Sequence, residues 1–127
     1  MSVKRTIRTR LYSEDLPLIL ETLDKKGCDY RFNSPIRGYR RSFAIAIKVK
    51  DRYCVGLVEK RVGNETFFEA HFDSGYVSAK ELNRWKGEFE AQVKALQIKQ
   101  KLSRNGYLLT GFEENAERIV LRIKEAV

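Results

Sequence analysis

Residues 34–42 read SPIRGYRRS, with Arg37, Arg40 and Arg41 crowded around Gly38 and Tyr39. A guanidinium forks onto phosphate oxygens through two parallel hydrogen bonds, and a tyrosine ring can stack on a base. Glycine lets a backbone come close to a ligand. Single-strand nucleic-acid binders combine these features, and so does a plain solvated loop on a basic protein. Catalytic chemistry has less to stand on. His71 is the only histidine. A strand would set it on one face with Glu69 and Asp73, a base beside carboxylates. A half-exposed strand histidine explains the same pattern. The sequence has no glycine-rich phosphate loop, HExxH pair or nucleophile elbow. Cys28 and Cys54 lack metal-ligand spacing and read as small buried free thiols. No catalytic residue, metal or cofactor is therefore assigned.

Charge points the same way as the arginines. Lysine and arginine outnumber acids 25 to 17, giving a net charge of +8 and a pI near 9.6. Such a surplus favours nucleic acid, anionic membrane or an acidic protein. The 127 residues are 43% hydrophobic and 33% charged, which suits one globular α+β domain over 1–127. The opening MSVKRTIRTRL lacks the apolar stretch of a secretory leader. No run approaches the roughly 20 apolar residues of a spanning helix. The expectation is a soluble, cytoplasmic protein without membrane contact.

The elements that must position these residues follow from periodicity. Residues 3–12 alternate, placing Ile7, Thr9 and Leu11 on one face and Thr6, Arg8 and Arg10 on the other. Residues 13–27 switch to helical spacing through Leu16, Ile19, Leu20 and Leu23, with Ser13 or Asp15 as caps and Pro17 in the first turn. CDYRFN (28–33) is a short strand. In 42–50, Phe43, Ile45, Ile47 and Val49 are expected to face inward, and Ala44, Ala46, Lys48 and Lys50 outward. Strands at 53–60 and 66–73 complete an antiparallel meander. Ser78 and Glu81 form a capping box opening a helix to residue 104, striped by Leu82, Trp85, Phe89, Val93 and Leu96. Strands at 107–114 and 118–127, joined near Asn115, close the chain. The order is β-α-β-β-β-β-α-β-β, mainly antiparallel with two helices, and it can be divided into two β-α-β-β halves plus one strand. The small residues Ala44, Ala46 and Gly56 suggest that the long helix covers their face.

In order along nearly the whole chain come IRT (7–9), LDKKG (23–27), RGYRR (37–41), YCVGL (53–57) and KLSRNGYLLTGF (101–112). This series resembles the hypothetical chloroplast reading frame thirty-five family, a domain of unknown function from cyanobacteria, red-algal plastids, other bacteria and phages. Arg41 stands where that pattern has Gly, and Cys54 where it has Asp. The second departure removes a carboxylate. The resemblance implies a small accessory protein, cytoplasmic or of the plastid stroma. It brings no activity, cofactor or catalytic residue, and it draws attention to RGYRR.

Two functions compete. In the first, a non-enzymatic protein binds RNA or single-stranded DNA. Arg8, Arg10, Arg37, Arg40, Arg41 and Lys48 contact phosphates and Tyr39 stacks. If the strands bearing Arg8, Arg10, Lys48 and Lys50 share a sheet, their charges are expected to join into a stripe ending at the loop. In the second, an adaptor meets an acidic protein partner through the same loop or at a sheet edge. The oligomeric state, a dimer included, stays open, because the terminal strand can pair within the chain or across two chains.

Overall fold

The computed structural model describes residues 3–114 and 119–125. The elements are β1 (Lys4–Tyr12), a 3₁₀ turn (Ser13–Asp15), α1 (Leu16–Lys25), β2 (Tyr30–Pro35), β3 (Ser42–Val49), β4 (Arg52–Val62), β5 (Glu65–Asp73), α2 (Ala79–Arg104), β6 (Tyr107–Glu114) and β7 (Ile119–Glu125). This is the α+β order that periodicity predicts. The joint near Asn115 lies outside the described residues. β1 to β5 form an antiparallel sheet in the order β1-β5-β4-β3-β2, and β6 and β7 pair as a separate two-stranded sheet. The two β-α-β-β halves therefore end differently, the first inside the large sheet and the second in its own hairpin.

Alternation in the strands and the apolar stripe of α2 bury one face of the sheet. Ile45, Ile47, Val55, Leu57, Phe68, Ala70 and Phe72 share a core with Leu18, Ile19 and Leu23 of α1 and Leu82, Phe89 and Val93 of α2. Both helices pack on this face, and the small-residue face is left to the loop between β2 and β3. That corrects the expectation that α2 covers Ala44, Ala46 and Gly56. The capping box forms as predicted, Ser78 Oγ accepting from the Glu81 amide at 3.1 Å. At α1 neither proposed cap acts through its side chain. Asp15 holds the N-cap position without a side-chain hydrogen bond, and the 3₁₀ turn leads in instead. The β3–β4 hairpin turns through Lys50 and Asp51, both at positive φ (53° and 64°). Two left-handed central residues are what a tight hairpin turn needs to match the strand twist.

Two irregularities decide what reaches the open face. The β3–β4 register shifts between Ile47 and Lys48, so that Lys48 pairs with Tyr53 and Cys54 drops into the core at 1% exposure. Alternation also breaks beside Asn33 (φ 48°). Phe43 is turned away from Ile45 and Ile47 and joins Ile36 and Ala46 in a second buried cluster. The expectation that Phe43 faces inward with its strand neighbours is corrected accordingly.

Candidate nucleic-acid interface

One cross-strand row explains how a loop can lie on the sheet. Pairing connects Thr6 to His71, His71 to Gly56, Gly56 to Ala46 and Ala46 to Arg31. The two central positions carry almost no side chain, which leaves a trough. Phe43 fills it so closely over Gly56 that a Cβ there would collide with the ring. The segment Ile36–Tyr39 folds back over Ala46. The Arg37 amide donates to the Tyr53 carbonyl at 2.8 Å, and the Tyr39 hydroxyl donates to the Phe72 carbonyl at 3.0 Å. Gly38, at φ 88°, passes so near Asp73 that a Cβ would meet its carboxylate oxygen at 2.6 Å. Both the dihedral and the contact favour glycine.

Tyr39 is anchored inward. Its ring meets Phe43 edge-on at 5.2 Å, and Lys4 sits over it at 5.1 Å. Burial, with Asp73 nearby, pushes its phenol pKa up despite the opposing Arg41 charge. Tyr39 thus fixes the loop, and the free stacking platform expected of it is not there.

The arginines separate into two kinds. Arg41 donates to His71 Nδ1 at 3.1 Å. His71 Nε2 lies 3.0 Å from the Glu69 carboxylate, so Nε2 carries the proton and Nδ1 is the acceptor. Burial lowers the His71 pKa from 6.5, against the upward pull of the Glu69 hydrogen bond, and Arg41 and Lys60 lower it further. The lowered pKa favours the neutral imidazole, which is occupied at both nitrogens. Asp73, expected beside it, binds the Gly75 amide instead. By contrast, the exposed guanidiniums of Arg37 and Arg40 make no hydrogen bond or ion pair with any described residue.

The expected stripe does not form. β5 and β4 separate Arg8 on β1 from Lys48 on β3. Arg8 pairs with Glu65 at 3.3 Å and lies over Phe67. Arg10 is drawn toward α2, where its amide donates to Glu90 and it lines a groove with Gly87 and Lys94. Lys50 pairs with Glu81. Lys48 and Arg37 do come together. With Arg31, Arg52, Tyr39 and Tyr53 they line a shallow cavity of about 400 Å³ at the foot of the loop, in which Asp51 is the acidic lining residue.

Arg31, Arg52 and Tyr53 were not singled out by the sequence. Alternation around Tyr30 and Phe32 already turns Arg31 outward, a usable signal. Tyr53 reaches the same face only through the register shift, which leaves no trace in hydropathy. Among the described residues no group of three or more His, Cys, Asp or Glu side chains could hold a metal ion, and no helix is long and apolar enough to cross a membrane.

No protein-family model matches the chain, and no curated protein or solved structure matches it.

Proposed function

We propose that this chain is a non-enzymatic accessory protein that binds RNA or single-stranded nucleic acid through the loop 36–41 and the cavity at its foot. The observation that carries this reading is the anchored loop with unengaged cations. Tyr39, Gly38 and the Arg37 amide hold the backbone against the sheet, while the guanidiniums of Arg37 and Arg40 remain exposed and without partners among the described residues. A fixed backbone lowers the entropy lost when a ligand is bound. Exposed guanidiniums supply forked donors for phosphate. The resemblance to the hypothetical chloroplast reading frame thirty-five family fits an accessory role and adds no chemistry.

Fluorescence anisotropy with labelled single-stranded RNA, single-stranded DNA and duplex DNA over a salt series tests the proposal. Each phosphate contact on a single strand contributes about −0.7 to the slope of log affinity against log salt. Replacing Arg37 and Arg40 together with Ala is expected to flatten the slope by about two contacts' worth. Arg41→Ala should change it less, because His71 already occupies that guanidinium. An unchanged slope in the double variant would remove the loop as the binding surface.

The adaptor reading has one feature of its own. β2 ends the sheet, and Phe32 on it is 53% exposed, so a partner strand could add there. Stoichiometric recovery of one protein after nuclease treatment, lost on Phe32→Ser, would favour it.

A further inference from the structure

The arginines of the cavity at the foot of the loop differ from Arg8 and Arg41 in what takes their hydrogen-bond donors. Arg8, Lys50 and Lys60 face carboxylates. Arg8 also lies over Phe67 and Arg41 over Phe43, but Glu65 and His71 share their hydrogen bonds. In the cavity the ring contacts come without such a bond for Arg31 and Arg52. The Arg31 guanidinium lies 4.2 Å from the Tyr53 ring centroid, Lys48 lies 5.9 Å from the same ring, and Arg52 lies 5.8 Å from the Tyr76 ring. A ring face attracts a cation through its quadrupole but accepts no in-plane N–H hydrogen bonds. Arg31 and Arg52, held over rings, and Arg37, exposed at the loop, make no side-chain hydrogen bond or ion pair with a described residue. Their donors are unspent, and those of Arg31 and Arg52 are held beside rings. Lys48 has one distant acidic neighbour, Asp29 at 3.8 Å.

Charge and size narrow the ligand. Four cations line or flank the cavity against two carboxylates, Asp51 and Asp29, leaving a surplus of two positive charges. A phosphodiester carries one negative charge and a terminal phosphomonoester about two near neutral pH. The volume of about 400 Å³ falls within the range of small-molecule sites. We infer that this cavity is a terminal-phosphate subsite, in which Arg31, Arg37 and Arg52 hold the phosphomonoester at the end of a nucleic-acid strand and Tyr53 forms the wall beside it. The inference rests on the nucleic-acid reading of the same surface. It adds that one end of the strand is recognised, so that binding has a polarity a uniform basic patch would lack.

Three hexauridylates decide it: one 5′-phosphorylated, one 3′-phosphorylated and one with hydroxyls at both ends. They are measured by anisotropy at fixed ionic strength, with uridine monophosphate titrated calorimetrically alongside. One phosphorylated strand is expected to bind about tenfold tighter than the hydroxyl-ended one, the scale of one charge-assisted hydrogen bond. Replacing Arg31 and Arg52 together with Gln should weaken every strand and bring the ratio of phosphorylated to hydroxyl-ended affinity down to about one, and circular dichroism melts confirm that the variant folds. Equal affinity for all three ends overturns the subsite and leaves the nucleic-acid reading standing. Binding of uridine monophosphate without binding of any strand keeps the phosphate site and removes the nucleic-acid reading. No binding of either ligand removes both.

Discussion

On one face of the five-stranded sheet, Ile45, Ile47, Val55, Leu57 and Phe72 meet two helices; on the other, Ala46, Gly56 and His71 meet a loop. A helix delivers an apolar residue every three or four positions, so α1 and α2 seal their face with large side chains such as Ile19, Leu23, Leu82 and Phe89, each fully buried. The loop delivers far less. Ile36 and Phe43 are buried and Tyr39 half-buried, while the charged members of the same segment end at the surface. Stability and ligand-binding potential are thus divided between faces. The helix-covered face carries the main core, and the loop-covered face leaves Arg31, Arg37 and Arg40, unpaired among the described residues, where a ligand can reach them.

The most severe test of that division is Phe89→Ala. Phe89 is fully buried and stacks on Trp85 at 5.0 Å, and its removal is expected to cost about 3–5 kcal/mol in urea unfolding. A loss below about 1 kcal/mol would mean that the helical face does not dominate stability. Gly56→Ala probes the other face. Its new Cβ collides with the Phe43 ring and should cost about 1–3 kcal/mol, with faster proteolysis within 36–41 as the ring is displaced. An unaltered melt and cleavage pattern would show that the loop's seat does not depend on this trough.

A milder change isolates the open face. The His71 pKa is depressed in the folded state, chiefly by burial. The unfolded chain therefore binds the proton more readily. Stability from this group is complete above the unfolded value of 6.5 and declines as pH falls through that value toward the lower folded one. Between pH 7.5 and 5.5 the melting temperature of the wild type should fall more than that of His71→Gln, by a few degrees at most. Parallel profiles would show that His71 does not titrate differently in the two states.

Much of the frame was readable from residue order. The period change at Ser13, the Ser78–Glu81 box and the alternation of 66–73 each specify local backbone geometry, and local rules reach that far. Arg37 and Lys48, expected at one interface, do line one cavity. The expected neighbours Arg8 and Arg10 do not join them, since β5 and β4 intervene, Glu65 pairs with the Arg8 guanidinium, and Arg10 lines the groove beside α2. Tyr39 looked like a platform because its side chain is large and flanked by arginines. It became an anchor when a carbonyl 33 positions away came within 3.0 Å of its hydroxyl.

Residue order alone sets which segments are helix and strand, which residues are basic and which strand faces are apolar, because all of these depend on neighbours a few positions apart. The packed chain decides which of the arginines are spent. A guanidinium beside Glu65, beside His71 or over the Tyr53 ring has the same local sequence character, and its partner is set by strand order and by a one-residue register shift. That shift turns Tyr53 outward and Cys54 inward, and with them it places the donors that a phosphate would meet.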